Sequence, residues 1–463
     1  MASTYITRTP SSTTNRRTFT LSYWIKFSDV NMASAQRWFS AGNDGTGNLL
    51  KQEFFSGTST RAIAFIDNNN NGTGVRLTTK REFRDASGWY HIVYAVDTTQ
   101  ATASNRVKMY VNGEQNTDWY DSSTHAEYPN QNYDFNVNVS GQAMQFGRSY
   151  GFGGSSADYF DGYMSHIHFI DGTAYDASYF GETDSTTGEW KIKTSPSVTY
   201  GTNGFFILKD GNSVTDQSNN TNNFTVSGGT LTNTEDCPSN VFATLNPNDT
   251  GLPGTKLNLD NGNNTTMNTS GYGDYGVRST LGANSGKYYW EAKHTTGNCT
   301  GIQPMDTKLI FDMFGSTPEA HVYGIQRYND SSTNFFSNTT FTQQNTAAWG
   351  GITSGDIIGY ALDLDNGKIF CSKNGNFRDL SGNVGDPANG TNPTFTISDT
   401  DRVYGAYVEL RSNNDNGTQM NFGNGYFGTT AISTEGTNAS GIGKFEYDVP
   451  TGYTALSTKG LNE

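Results

Sequence analysis

The sequence predicts an all-β protein built from two β-sandwich domains in tandem. The first indication is composition, because 28 Phe, 26 Tyr and 7 Trp suit the pleated surface of a sheet. The second is turn chemistry, since 53 Gly accompany many Asn and Asp. The third is periodicity: apolar and polar residues alternate over short segments, and no ten-residue apolar pattern at helical spacing is convincing. All-β domains of about 200–250 residues are common, so 463 residues fit two of them.

Strand patterns follow one another in the first half of the chain. Residues 19–27 (FTLSYWIKF) alternate with period two, and residues 89–99 (WYHIVYAVDTT) follow. Residues 106–114 (RVKMYVNGE) close on Asn112-Gly113, a strong signal for a type I′ hairpin. A short helical turn is expected at residues 176–182 (DASYFGE).

Residues 159–172 (YFDGYMSHIHFIDG) are expected to form a strand with two distinct faces. Strict alternation assigns one face to Tyr163, Ser165, Ile167 and Phe169, and the other to Met164, His166, His168 and Ile170.

Residues 237–254 are interpreted as a connector. They contain Pro238, Pro247 and Pro253 without β alternation, and proline cannot donate to the ladder of a central strand. Strand patterns resume at residues 286–296 (GKYYWEAKHTT) and run to about Phe422. The predicted domains are therefore residues 1–250 and 251–463, with a boundary near residue 250.

A regular hairpin is predicted at residues 355–375 (GDIIGYALDLDNGKIFCSKNG). Asn366-Gly367 supplies its turn. The side chains expected on its inner face are Ile358, Tyr360, Leu362 and Leu364 on the first strand, and Ile369 and Cys371 on the return strand.

Both halves resemble known families of β-sandwich. Residues 19–27, 88–115 and 160–182 resemble the laminin-G-like branch of the concanavalin A-like sandwiches, in that family's order and spacing. Residues 205–229 look like the opening strands of such a domain but come late, which a circular permutation would explain. Residues 286–294 and 355–377 resemble the SPRY domain, in which the hairpin is core architecture and the position of Cys371 usually carries an aromatic. These resemblances imply two tandem concanavalin A-like, or jelly-roll, sandwiches.

The combination of segments is more specific than either domain. Residues 84–115, 179–191 and 236–247, followed by the SPRY-like half, resemble a family of environmental, often marine, tailed-phage proteins usually called tail-fibre or lectin-like. The resemblance covers nearly the whole chain. It implies a virion component, made in the host cytoplasm, that contacts other virion proteins and the bacterial surface.

Composition argues against several other functions. A net charge of −14 without a Lys or Arg cluster makes nucleic acid and anionic membranes poor partners. Cys237, Cys299 and Cys371 show no CxxC spacing, so neither a disulfide framework nor a zinc site is indicated. No apolar run is long enough to span a bilayer, and no signal-peptide pattern is recognised, so membrane insertion is not expected.

Catalysis is not expected. Glycoside hydrolases of the concanavalin A-like fold place their acid and nucleophile on alternate residues of one strand, in an ExDxxE-type run, and the chain has no such run. Asp363 and Asp365 share a face, but they approach a turn and match SPRY scaffold positions.

Two segments resemble metal sites without completing them. Asp67, Asn69 and Asn71 are spaced as in a calcium loop, but Thr78 stands where a closing Glu is required. His166 and His168 could face one metal ion, yet no third ligand is evident. No cofactor is assigned, and calcium remains open without an assigned site.

Glycan binding is the remaining candidate function. Sugars are held by aromatic faces, with Asn, Asp and backbone groups contacting the hydroxyls. Aromatic residues of this kind occur in the predicted loops of both halves; alternatively, they fasten those loops to the sandwich or contact a neighbouring virion protein. The candidate ligand-binding residues are Trp119, Tyr120, Tyr128 and Tyr133 in the first half, and Tyr328, Phe335, Phe336 and Trp349 in the second.

The sequence therefore predicts a non-enzymatic phage virion surface protein, a tail fibre or head decoration, that attaches to host glycan. The alternatives are a structural capsid or tail decoration protein with no ligand, and a polysaccharide depolymerase. A homo-oligomer is expected.

Overall fold

The computed structural model describes residues 3–28, 36–43, 46–54, 61–69, 72–120, 125–150, 157–209, 211, 213–250, 257–267, 275–295, 298–309, 321–329, 332–338, 340–344, 349–410 and 417–462. In these ranges the regular structure is strands, with 3-10 turns at Ala103–Asn105, Ala177–Tyr179 and Gly460–Asn462, so the all-β prediction is confirmed. None of the helical segments among them is long and apolar enough to cross a membrane. The chain divides into two compact units, unit 1 (Met1–Asn233) and unit 2 (Thr234–Glu463).

The described strands of unit 1 are β1 (Tyr5–Arg8), β2 (Thr18–Phe27), β3 (Arg37–Asn43), β4 (Asn48–Phe54), β5 (Ala62–Asn69), β6 (Gly72–Glu82), β7 (Tyr90–Asp97), β8 (Val107–Val111), β9 (Glu114–Asn116), β10 (Ala126–Glu127), β11 (Ala143–Phe146), β12 (Arg148–Tyr150), β13 (Ala157–Tyr159), β14 (Gly162–Asp171), β15 (Gly181–Thr183), β16 (Trp190–Ile192), β17 (Phe205–Ile207) and β18 (Thr225–Gly228).

Unit 1 is a sandwich of two antiparallel sheets. An eight-stranded sheet has the order β10-β6-β5-β4-β3-β11-β1-β18, and a six-stranded sheet has the order β17-β14-β2-β7-β8-β9. One apolar core joins them; for example, Phe65 of the first sheet stacks on Tyr94 of the second, with ring centroids 4.6 Å apart. Sheets that bury alternate residues against each other form a sandwich of this kind.

The hairpin predicted at Asn112-Gly113 is confirmed. Asn112 has φ +48° and Gly113 has φ +84°, and Val111 pairs with Glu114 across them. Two consecutive positive φ angles are those of a type I′ turn, which Asn and Gly tolerate.

The simple alternation predicted for residues 159–172 is wrong, because β14 contains a bulge. Its register against β2 shifts between Ser165 and His168, and His166 has φ +46°. The extra residue changes the phase of the strand. As a result Met164, on one side of the bulge, contacts the same core as Ile167 on the other.

Residues 205–229 are an integral part of unit 1. Strand β17 pairs with β14, and β18 pairs with the N-terminal strand β1. Phe205, Ile207 and Phe224 are buried in the core between the sheets.

The two units divide at residues 233 and 234, whereas the sequence places the boundary near residue 250. Residues beyond 234 already belong to unit 2, since Phe242 bridges to Ser457 and Leu245 is buried in the unit 2 core. Pro247 lies inside a strand, Leu245–Thr250. That strand is at the edge of its sheet, where a missing backbone donor is tolerated.

The described strands of unit 2 are β19 (Leu245–Thr250), β20 (Asn258–Asp260), β21 (Thr265–Met267), β22 (Tyr275–Ala283), β23 (Lys287–Lys293), β24 (Asn298–Pro304), β25 (Tyr323–Asn329), β26 (Ser332–Ser337), β27 (Thr340–Gln344), β28 (Ile357–Asp363), β29 (Lys368–Lys373), β30 (Asn376–Arg378), β31 (Phe395–Thr396), β32 (Tyr404–Leu410), β33 (Gln419–Asn421), β34 (Tyr426–Phe427), β35 (Thr430–Ala431) and β36 (Thr454–Ala455).

Unit 2 is a second sandwich. A seven-stranded sheet has the order β19-β22-β32-β24-β25-β26-β27. The other sheet has the order β20-β21-β33-β23-β28-β29-β30, with β31 on β29 and β36 parallel to β23. The predicted hairpin is β28–β29, and its inner face is confirmed. The residues of that face in the unit 2 core are Ile358, Tyr360, Leu362, Leu364, Ile369 and Cys371.

Candidate functional site

The aromatic residues predicted as ligand contacts in unit 1 are half-buried and partly assembled. Trp119 donates from Nε1 to the Tyr128 hydroxyl (2.8 Å), and the two rings meet at 90°. Tyr120 lies edge-on to His125, with ring centroids 5.4 Å apart. Tyr133 lies elsewhere, donating from its hydroxyl to Asp67 (2.8 Å). Trp119, Tyr128 and Tyr133 also pack against the core, so much of each ring already has a partner inside the protein.

The aromatic residues predicted as ligand contacts in unit 2 are corrected by the structure. Phe335 and Phe336 lie on β26 rather than in a loop and are fully buried. Trp349 is also buried, with its ring 5.3 Å from that of Phe335 and its Nε1 donating to the Asp379 carbonyl (2.8 Å). Burial in the core leaves no face for a sugar. The side chain of Tyr328 lies outside the described residues.

The calcium-like segment forms a hairpin instead. Asn69 pairs with Gly72 between β5 and β6, and Asn71 lies outside the described residues. Asp67 is fully buried, accepting hydrogen bonds from Tyr133 and from the side chain of Asn136 (3.1 Å). Burial raises the pKa of its carboxyl to about 7.

His166 and His168 have partners other than a metal. A nitrogen of His166 is 2.8 Å from the Ser165 hydroxyl. His168 stacks on Phe206 with ring centroids 3.9 Å apart, and its Nδ1 is 2.9 Å from the Tyr200 hydroxyl. Among the described residues, no three His, Cys, Asp or Glu side chains are arranged to hold a metal ion.

The structure forms a different candidate site on the outer face of the six-stranded sheet of unit 1. It is a cleft of about 310 Å³, which we call the outer cleft. Eight residues line it: Ala95, Asp97, Gln100, Asn105, Lys108, Tyr110, Ala174 and Asp176.

Strand alternation explains why these side chains face outward. Val107 and Met109 of β8 point into the core, so the intervening Lys108 and the following Tyr110 point away from it. Lys108 pairs with Ala95 of β7. Because the side chain of Ala95 is small, it leaves space between the longer side chains around it and forms the floor of the outer cleft.

The loop after β7 is held rigidly at one end of the outer cleft. The guanidinium of Arg106 donates to the carbonyls of Gln100 (2.8 Å), Ala101 (2.7 Å) and Pro129 (2.8 Å). Asp97 accepts from the Thr99 hydroxyl (2.6 Å) and from the Gln100 amide (2.6 Å). A loop tied at this many points presents its polar groups in a fixed arrangement.

The loop after β14 forms the opposite wall. The Thr20 hydroxyl donates to the Thr173 carbonyl (2.8 Å) and accepts from the Tyr175 N–H (2.7 Å). Asp176 accepts from the Ser178 N–H (2.9 Å) and caps the 3-10 turn Ala177–Tyr179. This turn confirms the helical turn predicted at residues 176–182.

Several polar groups of the outer cleft lack a protein partner. Across the described ranges, the Lys108 ammonium, the Tyr110 hydroxyl and the Asn105 side-chain amide make no hydrogen bond or ion pair. Partial burial raises the pKa of Tyr110, and the nearby Asp176 carboxylate raises it further. The Tyr110 hydroxyl therefore remains a donor at neutral pH. Partial burial acts to raise the pKa of Asp97, but the donors Thr99 and Gln100 outweigh it and hold the pKa below its usual range.

The outer cleft therefore offers an aromatic ring, donors and acceptors around one small space. A sugar ring presents the complementary surface, with apolar C–H patches for the ring and hydroxyls that donate and accept.

The sequence patterns used above did not select these residues. Those patterns favoured aromatic-rich loops, whereas the outer cleft draws on a strand pair and on a loop some 65 residues further along the chain. A usable signal was present in residues 106–110, where Lys108 and Tyr110 occupy the outward positions between apolar ones.

Comparison with known families supports the fold of unit 1. Residues 1–178 match the family model of the concanavalin A-like lectin/glucanases superfamily. Unit 1 has the concanavalin A-like sandwich fold. No curated protein sequence matches the chain.

Similar solved structures include three proteins of low sequence identity, one of which is a SPRY domain. The SPRY domain of human HERC1 is 18% identical, covering 38% of this chain and 96% of that chain, with a TM-score of 0.27. The native heptameric SAP-like pentraxin of Limulus polyphemus is 15% identical, covering 37% and 71%, with a TM-score of 0.27. Full-length tailspike protein 2 of the Escherichia coli O157:H7 bacteriophage CAB120 is 13% identical, covering 38% and 22%, also with a TM-score of 0.27. TM-scores of this size carry no conclusion about function.

Proposed function

We propose that the protein is a non-enzymatic virion surface protein of a tailed phage that attaches to the host by binding cell-surface glycan in the outer cleft. The observation that carries this proposal is the presence of unpartnered polar groups, those of Lys108, Asn105 and Tyr110, around one cleft of a lectin-like sandwich. Lys108 and Tyr110 are half-buried and Asn105 is exposed, so these groups reach solvent and are available to a ligand. A polyhydroxylated ligand would satisfy them.

The virion assignment rests on the resemblance of residues 84–115, 179–191 and 236–247 to tail-fibre or lectin-like phage proteins. In this proposal the protein is a tail fibre or head decoration subunit and contacts other virion proteins. We propose that it works as a homo-oligomer, in which several glycan sites on one particle would act together.

Binding without cleavage is favoured by the carboxyl groups. A glycosidase needs one carboxyl group with a raised pKa to act as general acid, and Asp97, one of the two carboxyl groups of the outer cleft, has a lowered pKa. Asp67 and Glu291 do have raised pKa values, each about 7. Both are buried and accept several hydrogen bonds within their own unit, so neither reaches a substrate. We expect no shortening of host polysaccharide on incubation with the pure protein.

The glycan site is tested by measuring binding of the full chain and its variants to an array of oligosaccharides. Tyr110→Ala and Lys108→Ala should each weaken binding about tenfold, the effect of about 1.4 kcal/mol. Tyr120→Ala, a half-exposed aromatic outside the outer cleft, is the matched control and should bind normally. Loss in Tyr120→Ala with full binding in the two cleft variants would move the site to the loops that the sequence first suggested.

Attachment is tested on particles. Virions lacking the protein should adsorb poorly to host cells, and added wild-type protein should compete with intact virions for the same cells. If virions without the protein adsorb normally, attachment is refuted and the structural decoration role replaces it.

A further inference from the structure

An aromatic surface adjoins the outer cleft. Tyr175 and Tyr179 lie one residue before and three residues after Asp176, with their ring centroids 4.3 Å apart. Tyr179 is 42% exposed, an unusual degree for a large apolar side chain in this protein. We call this pair the tyrosine platform.

The tyrosine platform is fixed to the same apolar cluster as the outer cleft. Tyr175 and Tyr110 both pack against the buried cluster that contains Ile170 and Phe180. The Lys193 ammonium donates to the Ser178 carbonyl (2.7 Å), which holds the turn that carries Tyr179. The platform therefore continues the wall of the outer cleft on the Asp176 side.

The outer cleft is too small to hold more than a short part of a glycan chain. About 310 Å³ is at the low end of ligand pockets and leaves room for one sugar unit. Any further unit of a glycan chain has to lie outside the cleft. The exposed ring of Tyr179 provides an apolar face there, and aromatic rings stack on the C–H faces of sugars.

The negative charge of the outer cleft and of the whole chain disfavours acidic glycans. The outer cleft contains two carboxylates, Asp97 and Asp176, against the single ammonium of Lys108. The chain as a whole carries a formal net charge of −14. A polyanionic glycan would meet repulsion both on approach and at the cleft.

Building on the proposed glycan function, we infer that the outer cleft and the tyrosine platform together bind an internal stretch of an uncharged glycan chain. One unit occupies the cleft, between Tyr110 and Asp176, and the next lies on Tyr179. The site is thereby selective for extended neutral polysaccharide over terminal sugars and over uronate-containing chains.

The test measures affinity against chain length on the full-length protein by isothermal titration calorimetry. The probes are gluco-, manno- and galacto-oligosaccharides of two, four and six units, with oligogalacturonates of the same lengths as carboxylated counterparts. Wild-type affinity for the preferred neutral series should rise at least threefold from two to four units, and oligogalacturonates should bind at least tenfold more weakly.

Three variants separate the platform from the cleft. Tyr179→Ala should bind the two-unit probe as the wild type does and lose the gain at four units. Tyr179→Phe, which keeps the ring, should retain that gain. Tyr110→Ala should weaken binding at every length.

The outcomes distinguish this inference from the function on which it rests. If Tyr110→Ala weakens binding but affinity is independent of length and of Tyr179, the platform is overturned and the glycan function stands. Tighter binding of oligogalacturonates than of neutral chains overturns the charge selectivity. If the wild-type protein binds none of the neutral series, both this inference and the proposed glycan function are overturned.

Discussion

Glu291 fastens the C-terminal segment of unit 2 to its sheet. It lies on β23, fully buried, and both of its oxygens accept hydrogen bonds. The donors are the Tyr289 hydroxyl (3.2 Å), the Asn421 amide (3.1 Å) and the backbone N–H groups of Glu446 (3.0 Å) and Tyr447 (2.9 Å). Although these donors favour the charged form, burial outweighs them and raises the pKa of the carboxyl to about 7.

Replacing Glu291 by Ala should lower the free energy of unfolding of unit 2 by about 2–3 kcal/mol. The four donors would lose their acceptor inside the fold, and a buried group left without a partner costs about 1–3 kcal/mol. Chemical denaturation measures the change. Glu435→Ala, at an exposed position of the same unit, is the control and should change stability by less than about 0.5 kcal/mol. Equal effects of the two substitutions would show that the buried hydrogen bonds are not what matters.

At this scale the sequence predicted turns better than ligand contacts. Asn112-Gly113 was predictable because a type I′ turn depends on two residues alone. Phe335 and Phe336 were misassigned because aromatic residues among polar neighbours look alike in a loop and on a buried strand. The distinction depends on the partner, here the ring of Trp349 against Phe335, which local sequence does not reveal.

At the scale of elements, β14 shows how one residue alters a whole pattern. The bulge at His166 shifts the phase of the strand, and no sequence period can predict it, since the bulge reflects pairing with β2 and β17. The outer cleft was out of reach for a related reason. The strands β7 and β8 were predictable from their alternation, but the position of the β14–β15 loop over them depends on tertiary structure.

The late strands β17 and β18 should be essential to unit 1. A chain ending at residue 199 loses Phe205, Ile207 and Phe224 from the core and the strands that pair with β14 and β1. Each large core side chain contributes about 2–5 kcal/mol, so the loss is comparable with a total stability of about 5–15 kcal/mol.

We therefore expect the chain ending at residue 199 to be insoluble or unfolded, and a chain ending at Asn233 to be folded. Circular dichroism and the cooperativity of thermal unfolding compare the two. A soluble chain of residues 1–199 with a cooperative transition would refute an integral role for residues 205–229.

At the scale of the whole molecule, the two units bury different sets of titratable groups. Unit 1 contains His91, whose pKa burial lowers to about 3, and His168, whose pKa burial also lowers strongly. It also contains Asp67, raised to about 7. The corresponding groups of unit 2 are His294, whose pKa burial lowers to about 3, and Glu291, whose pKa burial raises to about 7.

Between pH 6.5 and 4.5, the buried histidines and the buried carboxyls change the stability of the fold in opposite directions. An unfolded histidine takes up a proton in this range while the buried one does not, so each buried histidine costs stability as the pH falls. A carboxyl with a folded pKa of about 7 is protonated in the folded state and still ionised in the unfolded one, so it adds stability as the pH falls. Of the groups named, two histidines oppose one carboxyl in unit 1, whereas in unit 2 the effects of His294 and Glu291 nearly cancel.

Unit 1 should therefore lose about 1.4 kcal/mol of stability per pH unit between pH 6.5 and 4.5, while unit 2 stays nearly constant. The mostly exposed His125 adds a smaller change of the same sign in unit 1. Hydrogen exchange of the full chain, corrected for intrinsic rates, measures this as a roughly tenfold loss of protection per pH unit in β2 and β7, with little change in β23 and β28. The variant His168→Gln removes one histidine and should flatten the pH dependence of unit 1, whatever its effect on absolute stability. Parallel slopes in the two units, or an unchanged slope in His168→Gln, would show that these buried groups do not set the acid sensitivity of the protein.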